Sequence, residues 1–134
     1  MYLRFLSHEA KFLFLELSLH MANADLSFTD DEKLMIAGLC DEMDIPVSFT
    51  STISLEKAIR KLADISSERT KKMILFELGG VIMSDGLYDK AEEELLHRIA
   101  DQVGIDSDFI TNSMDCVCDM FKIYRRVSNL IGME

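Results

Sequence analysis

Six acidic residues have the type and placing to do chemistry: Asp25 and Glu32, Asp85 and Glu92, with Glu16 and Glu77 one helix earlier in each case. Carboxylates are hard oxygen ligands, so this set could hold calcium, or form a mixed site for manganese or magnesium. The same residues have a reading that involves no ligand. An aspartate where a helix ends, and a glutamate three residues after a helix cap, both serve free backbone groups on their own account. Both readings stand on the sequence alone. A calcium EF-hand is excluded by its ligand frame. Counting Asp85 or Asp25 as position one puts Leu96 or Ile36 at position twelve, where a bidentate glutamate is required. Glu16 and His20, one helical turn apart, could form a ligand pair, although a surface ion pair or a solvent-facing patch is the simpler account. His8 and His97 have no partner at a diagnostic spacing.

The elements that must position these acids come in two copies. Sliding the chain by sixty residues without a gap lays residues 11–50 over 71–110. Seven of those forty positions are identical: Lys11/Lys71, Leu15/Leu75, Asp25/Asp85, Glu32/Glu92, Asp41/Asp101, Ile45/Ile105 and Phe49/Phe109. Phe28 also falls over Tyr88, and Met35-Ile36 over Leu95-Leu96. The matches sit on a turn, a helix start and apolar positions, so the chain reads as two helix–acidic turn–helix repeats, about 10–65 and 70–131.

In chain order, Leu3, Phe5 and Leu6 form an apolar lead-in, and the first long helix spans about Ser7 to Ala24. Its stripe is Phe12, Leu15, Leu19 and Ala22, widened by Leu13, Phe14 and Leu17. Thr29-Asp-Asp-Glu32 reads as a capping box for the next helix, which carries Leu34, Met35, Leu39 and Met43 and stops before Pro46. A Ser/Thr-rich loop, 46–54, leads to a short helix at about Leu55–Ala63 behind a Ser54 cap. Ser66 or Ser67 opens the second long helix, through Met83. Gly79-Gly80 inside it needs a reason, because each glycine costs about 1 kcal/mol against alanine; it reads as a flexible kink or, as the favoured account, as close approach of a neighbouring helix, the corresponding helix of the first repeat. Asp89-Lys-Ala-Glu92 reads as a second cap, and that helix ends near Val103-Gly104. A last helix runs from Asp106–Asp108 to about Leu130, with Phe109, Val117, Met120, Phe121, Tyr124 and Val127 as expected core positions. No segment alternates with period two, so an all-α single domain is expected.

Composition bounds the rest. The 134 residues suit one domain, and 49% are hydrophobic. A net charge of -10 repels phosphate backbones, which argues against nucleic acid and for cations or protein surfaces as partners. Cys40, Cys116 and Cys118 are an odd set with no ladder of spacings, and read as reduced core thiols of a cytoplasmic protein. Arg4, the apolar stretch from Phe12 and Ala22-Asn-Ala24 mimic a secretory signal. Charged and polar residues interrupt that run, and the same pattern recurs mid-chain at 73–84, so a core helix is expected. No run is long enough to cross a membrane. There is no glycine-rich phosphate loop, no His-Glu-x-x-His and no serine in a nucleophile elbow, so an enzyme is not expected.

The pattern Asp-Gly-x-(apolar)-x-x-x-Glu after an apolar helix, twice in an all-helical chain of this size, resembles the TerB-like family of tellurite-resistance proteins. Asp85-Gly86-Leu87-Tyr88-Asp89-Lys90-Ala91-Glu92 is a full match. Asp25-Leu26-Ser27-Phe28-Thr29-Asp30-Asp31-Glu32 departs at Leu26, which replaces the glycine. The resemblance covers about residues 10 to 130. It implies an all-α domain whose acidic turn residues bind a divalent metal (calcium, manganese or magnesium), acting in bacterial stress-response assemblies with other proteins. The alternative is an acidic helical protein-interaction module whose carboxylates only cap helices.

Overall fold

The computed structural model describes residues 1–23, 28–64, 67–83 and 90–133. A 3-10 turn, Leu3–Phe5, precedes α1 (His8–Ala22), α2 (Asp30–Met43), α3 (Leu55–Asp64), α4 (Glu68–Ile82), α5 (Lys90–Gln102) and α6 (Ser107–Leu130). The chain is all-α, with no strand among the described residues.

Local chemistry sets the helix ends, and it does so twice at the same sixty-residue interval. The Ser7 hydroxyl accepts from Ala10 N–H and starts α1; the Ser67 hydroxyl accepts from Thr70 N–H and starts α4. Both helices are 15 residues long. The exits of α2 and α5 match as well. Asp44 and Gly104 take left-handed backbone conformations, with φ of 56° and 80°. Ile45 N–H then reaches Cys40 O, and Ile105 N–H reaches Ala100 O, while Asp44 and Gly104 donate to Asp41 and Asp101. This is the Schellman geometry, which pairs carbonyls that the last helical turn leaves free. Glycine adopts that conformation without a steric cost; Asp44 does so as one of the few other tolerant types.

Packing is organised on α1 and α4. The former lies against α2, α3 and α4, the latter against α1, α5 and α6. Leu13, Phe14, Leu17, Leu19 and Met21 of α1 are essentially sealed, as are Ile74, Leu75 and Leu78 of α4. The buried centre of α1 therefore lies around Leu13, Phe14 and Leu17, and Phe12, expected in the main stripe, is 37% exposed. Leu34 of α2 also points to solvent, whereas Ile36, Cys40 and Met43 are buried.

The third helices break the interval. Pro46 stands opposite Asp106 in the sixty-residue register, and the Ser/Thr-rich stretch after it stays a loop. Asp106 instead caps α6 through Asp108 N–H, so the first two turns of α6 occupy positions whose counterparts in the first half, 47–54, are loop. α6 is also longer than the core can cover. Val117 is buried and Phe109, Met120 and Phe121 half-buried, but Tyr124 and Val127 are 55% and 47% exposed. Their expected burial is corrected: the last two turns of α6 extend past every neighbour in the described core.

Gly79 does sit at a close approach, though not to α1. A Cβ there would lie 3.3 Å from Met114 Sδ of α6 and 3.9 Å from Leu96 Cδ2 of α5. At Gly80 nothing lies within 4 Å. The reason is rotational: residue 79 lies on the side of α4 that faces α5 and α6, and residue 80 is one helical step, about 100°, away. All three cysteines are free thiols. Cys40 is buried and Cys118 half-buried, while Cys116 is exposed and so is not a core residue.

Candidate functional site

Asp25 and Asp85, the two turn aspartates, lie outside the described residues. Of the other candidate acids, Glu32 forms the expected capping box. Thr29 N–H donates to its Oε1 at 3.0 Å, and Glu32 N–H donates to Thr29 Oγ1 at 3.2 Å. Together these bonds serve two of the free donors at the start of α2. The cap uses Oε1; among the described residues Oε2 has no hydrogen bond. Glu92 stands half-buried in the first turn of α5, the equivalent place sixty residues on.

Glu16 and His20 have a different occupation, shared between them. Glu16 is 1% exposed. Its two carboxylate oxygens accept Thr52 N–H at 3.0 and 3.1 Å, and Oε1 also accepts the Thr52 hydroxyl at 2.8 Å. One turn along α1, His20 Nε2 lies 2.9 Å from the Ile53 carbonyl oxygen. A carbonyl only accepts, so Nε2 carries the proton in this tautomer. The pair therefore clasps consecutive residues of the 46–54 loop. Glu16 is not part of a solvent-facing patch, because Thr52 and the α1 packing cover it.

Glu77 faces the chain start. Its Oε1 accepts Tyr2 N–H at 2.7 Å and lies 3.2 Å from the Met1 ammonium, which also meets Glu42 Oε2 at 2.6 Å. Burial works against the charge on that ammonium. The hydrogen bond to Glu42 and the negative charges of Glu77 and Glu42 outweigh it, and the pKa rises above the ordinary α-amino value. His97 joins α5 to the start of α6, with Nδ1 2.7 Å from Ser107 Oγ and Nε2 3.7 Å from Glu93 Oε1.

Among the described residues, no three His, Cys, Asp or Glu side chains form a group that could hold a metal ion. The described acids are distributed over separate tasks: a helix cap at Glu32, a loop clasp at Glu16, a terminal ammonium at Glu77. Comparison with protein-family models, curated proteins and solved structures found no match to this chain.

Sequence reasoning placed Glu16 and His20 one turn apart but missed Thr52 and Ile53, their partners. No pattern at short range marks those two residues, since the contact is made across 33 to 36 residues. The indirect signal was a polar pair inside an otherwise apolar helix. No described helix is long and apolar enough to cross a membrane.

Proposed function

We propose that this chain is a non-enzymatic helical domain of the TerB-like kind, one that takes a divalent cation at its acidic turns and works within bacterial stress-response assemblies. Asp25, Glu32, Asp85 and Glu92 are the residues that would hold the ion. Glu16 and Glu77 drop to structural roles in this reading, because Thr52 and the chain start already engage them. The observation that supports it is the sixty-residue register of the two helix pairs, from the Ser7 and Ser67 caps to the left-handed exits at Asp44 and Gly104. That register makes the two acidic turns equivalent connections between equivalent helices. The donor chemistry fits a hard cation, since all four groups are carboxylates and the Thr29 cap uses Glu32 Oε1. When bound, the ion would offset the negative charge of the carboxylates that hold it.

The second reading is an acidic protein-interaction module, and the Thr29–Glu32 capping box favours it by giving Glu32 a full backbone role. Thermal melts separate the two. With calcium or manganese at about 100 times its dissociation constant, the parent chain should gain about 2.7 kcal/mol, and chelator should remove the gain. Asp85→Asn should lose that response and Asp101→Asn keep it. Glu92→Gln preserves a cap, so it should be near neutral in chelator yet blind to metal. No shift with any common divalent ion would leave the interaction module as the function.

A further inference from the structure

The exposed half of α6 carries a pattern that its own fold does not use. From Phe109 the positions 109, 113, 116, 120, 123, 127 and 130 follow alternating steps of four and three, the heptad spacing of a coiled-coil seam. The first two lie against the core: Phe109 is half-buried and Ser113 buried. Beyond them the seam leaves the molecule. Cys116 is exposed and Met120 half-buried. Ile123 is 50%, Val127 47% and Leu130 81% exposed, with Tyr124 and Ile131 open beside them. Residues 116–130 span about 21 Å of helix, two heptads whose seam beyond Met120 no other described residue covers.

The charges flanking the seam say what covers it. Asp119 and Arg126, both exposed, occupy one flank one heptad apart. In an antiparallel pair of identical helices centred between residues 121 and 122, Met120 meets Ile123 of the second copy and Cys116 meets its Val127. The same register sets Asp119 against Arg126 of the second copy, twice over by symmetry. A parallel pair would instead place Asp119 near Tyr124 and Arg126 near Ile131, with no charge matched. Lys122, Arg125 and Arg126 also put three bases within five residues of a chain whose net charge is -10. We infer that residues 116–130 of α6 form a self-association seam, pairing antiparallel with the same segment of a second copy of this chain.

Sedimentation equilibrium on the full chain tests this, with helical content by circular dichroism checked for every variant. The parent should approach twice 15.3 kDa at submillimolar concentration. Asp119→Arg and Arg126→Asp should each weaken the dimer by about tenfold or more, since each turns two attractions into two repulsions. The combined variant Asp119→Arg/Arg126→Asp should recover the parent affinity. In a second measurement, Val127→Cys under mild oxidation should yield a covalent dimer that Cys116→Ser abolishes. A parent that stays monomeric overturns the proposal, and a monomer that co-sediments with phosphatidylserine vesicles assigns the stripe and its bases to a membrane surface instead. Single charge reversals without effect, a combined variant that fails to recover, or a covalent dimer that survives Cys116→Ser each overturn the antiparallel register.

Discussion

Removing the Glu16 carboxylate should separate a loop clasp from a metal ligand. Its two oxygens receive three contacts from Thr52 at 2.8 to 3.1 Å, and the side chain is 1% exposed. Hydrogen bonds to a charged group contribute about 1.5–3 kcal/mol, because the acceptor is ionised and water is excluded. Glu16→Gln keeps the volume but turns one acceptor into a donor, which then confronts the Thr52 N–H. The hydroxyl can rotate to accept from the new amide, so part of the network survives. A loss of about 1.5 kcal/mol is expected for Glu16→Gln, and up to about 3 kcal/mol for Glu16→Ala, which also leaves Thr52 N–H without its acceptor. The assay is urea denaturation in chelator, with Thr52→Val completing a double-mutant cycle. The cycle should show a coupling of about 1 kcal/mol or more, as residues in one network do. A loss below about 0.5 kcal/mol in chelator, growing only when metal is added, would refute the clasp and return Glu16 to the ligand set.

Two further outcomes follow from the packing and the charges. Gly79→Leu should cost about 1–3 kcal/mol by overpacking against Met114 and Leu96, and Met114→Ala in the same chain should recover part of it; Gly80→Ala, facing open space, should gain up to about 1 kcal/mol of helix propensity. If Gly79→Leu stabilises the protein in the same urea titration, the close approach to α6 is wrong. Stability should also decline as pH rises from about 8, the ordinary α-amino range. The folded Met1 ammonium has a raised pKa, so its contribution is complete below the unfolded value and is lost as pH climbs through the folded one. Cys40, pushed up by burial, acts in the same direction. Melting curves of Cys40→Ala should keep the Met1 part of the decline, and those of Glu77→Gln should lose much of it.

Helices were legible where the chain states its own ends. Ser7, Thr29, Ser54, Ser67 and Asp106 announce the starts of five helices by the bonds their side chains make within three residues. Gly104 marks an exit by needing a left-handed backbone, and Pro46 marks the other indirectly, since Asp44 performs the same turn with a less obvious residue. Burial was less legible than position. Tyr124 and Val127 continue the apolar spacing of α6 without interruption, and nothing local says where the core covering that helix ends. The same ambiguity hid the side of α4 on which Gly79 lies, because a glycine reports close approach without naming the neighbour.

Two polar residues of α1, Glu16 and His20, follow from what that helix packs against. A helix facing another helix meets a backbone that is already paired, and an apolar surface suffices. A helix facing a loop meets N–H and C=O groups with no partner of their own, and each must be satisfied if it is covered. In the second half α4 packs on α6, and the residues in register with Glu16 and His20 are Phe76 and Gly80, neither of which has a polar side chain. In the first half the counterpart of the start of α6 is the 46–54 loop, and the residues that bond it are Glu16 and His20; the Ser18 hydroxyl between them is buried with no hydrogen-bond partner among the described residues. Glu16 takes the Thr52 N–H and His20 supplies the Ile53 carbonyl. Pro46 thus stands where the other half has the helix-capping Asp106, and the stretch that follows it is a loop. The helix beneath it then needs an acceptor and a donor one turn apart. The departure of Glu16 and His20 from the repeat is explained by backbone satisfaction, which is why the turn acids, and not these two, remain the residues on which to look for a cation.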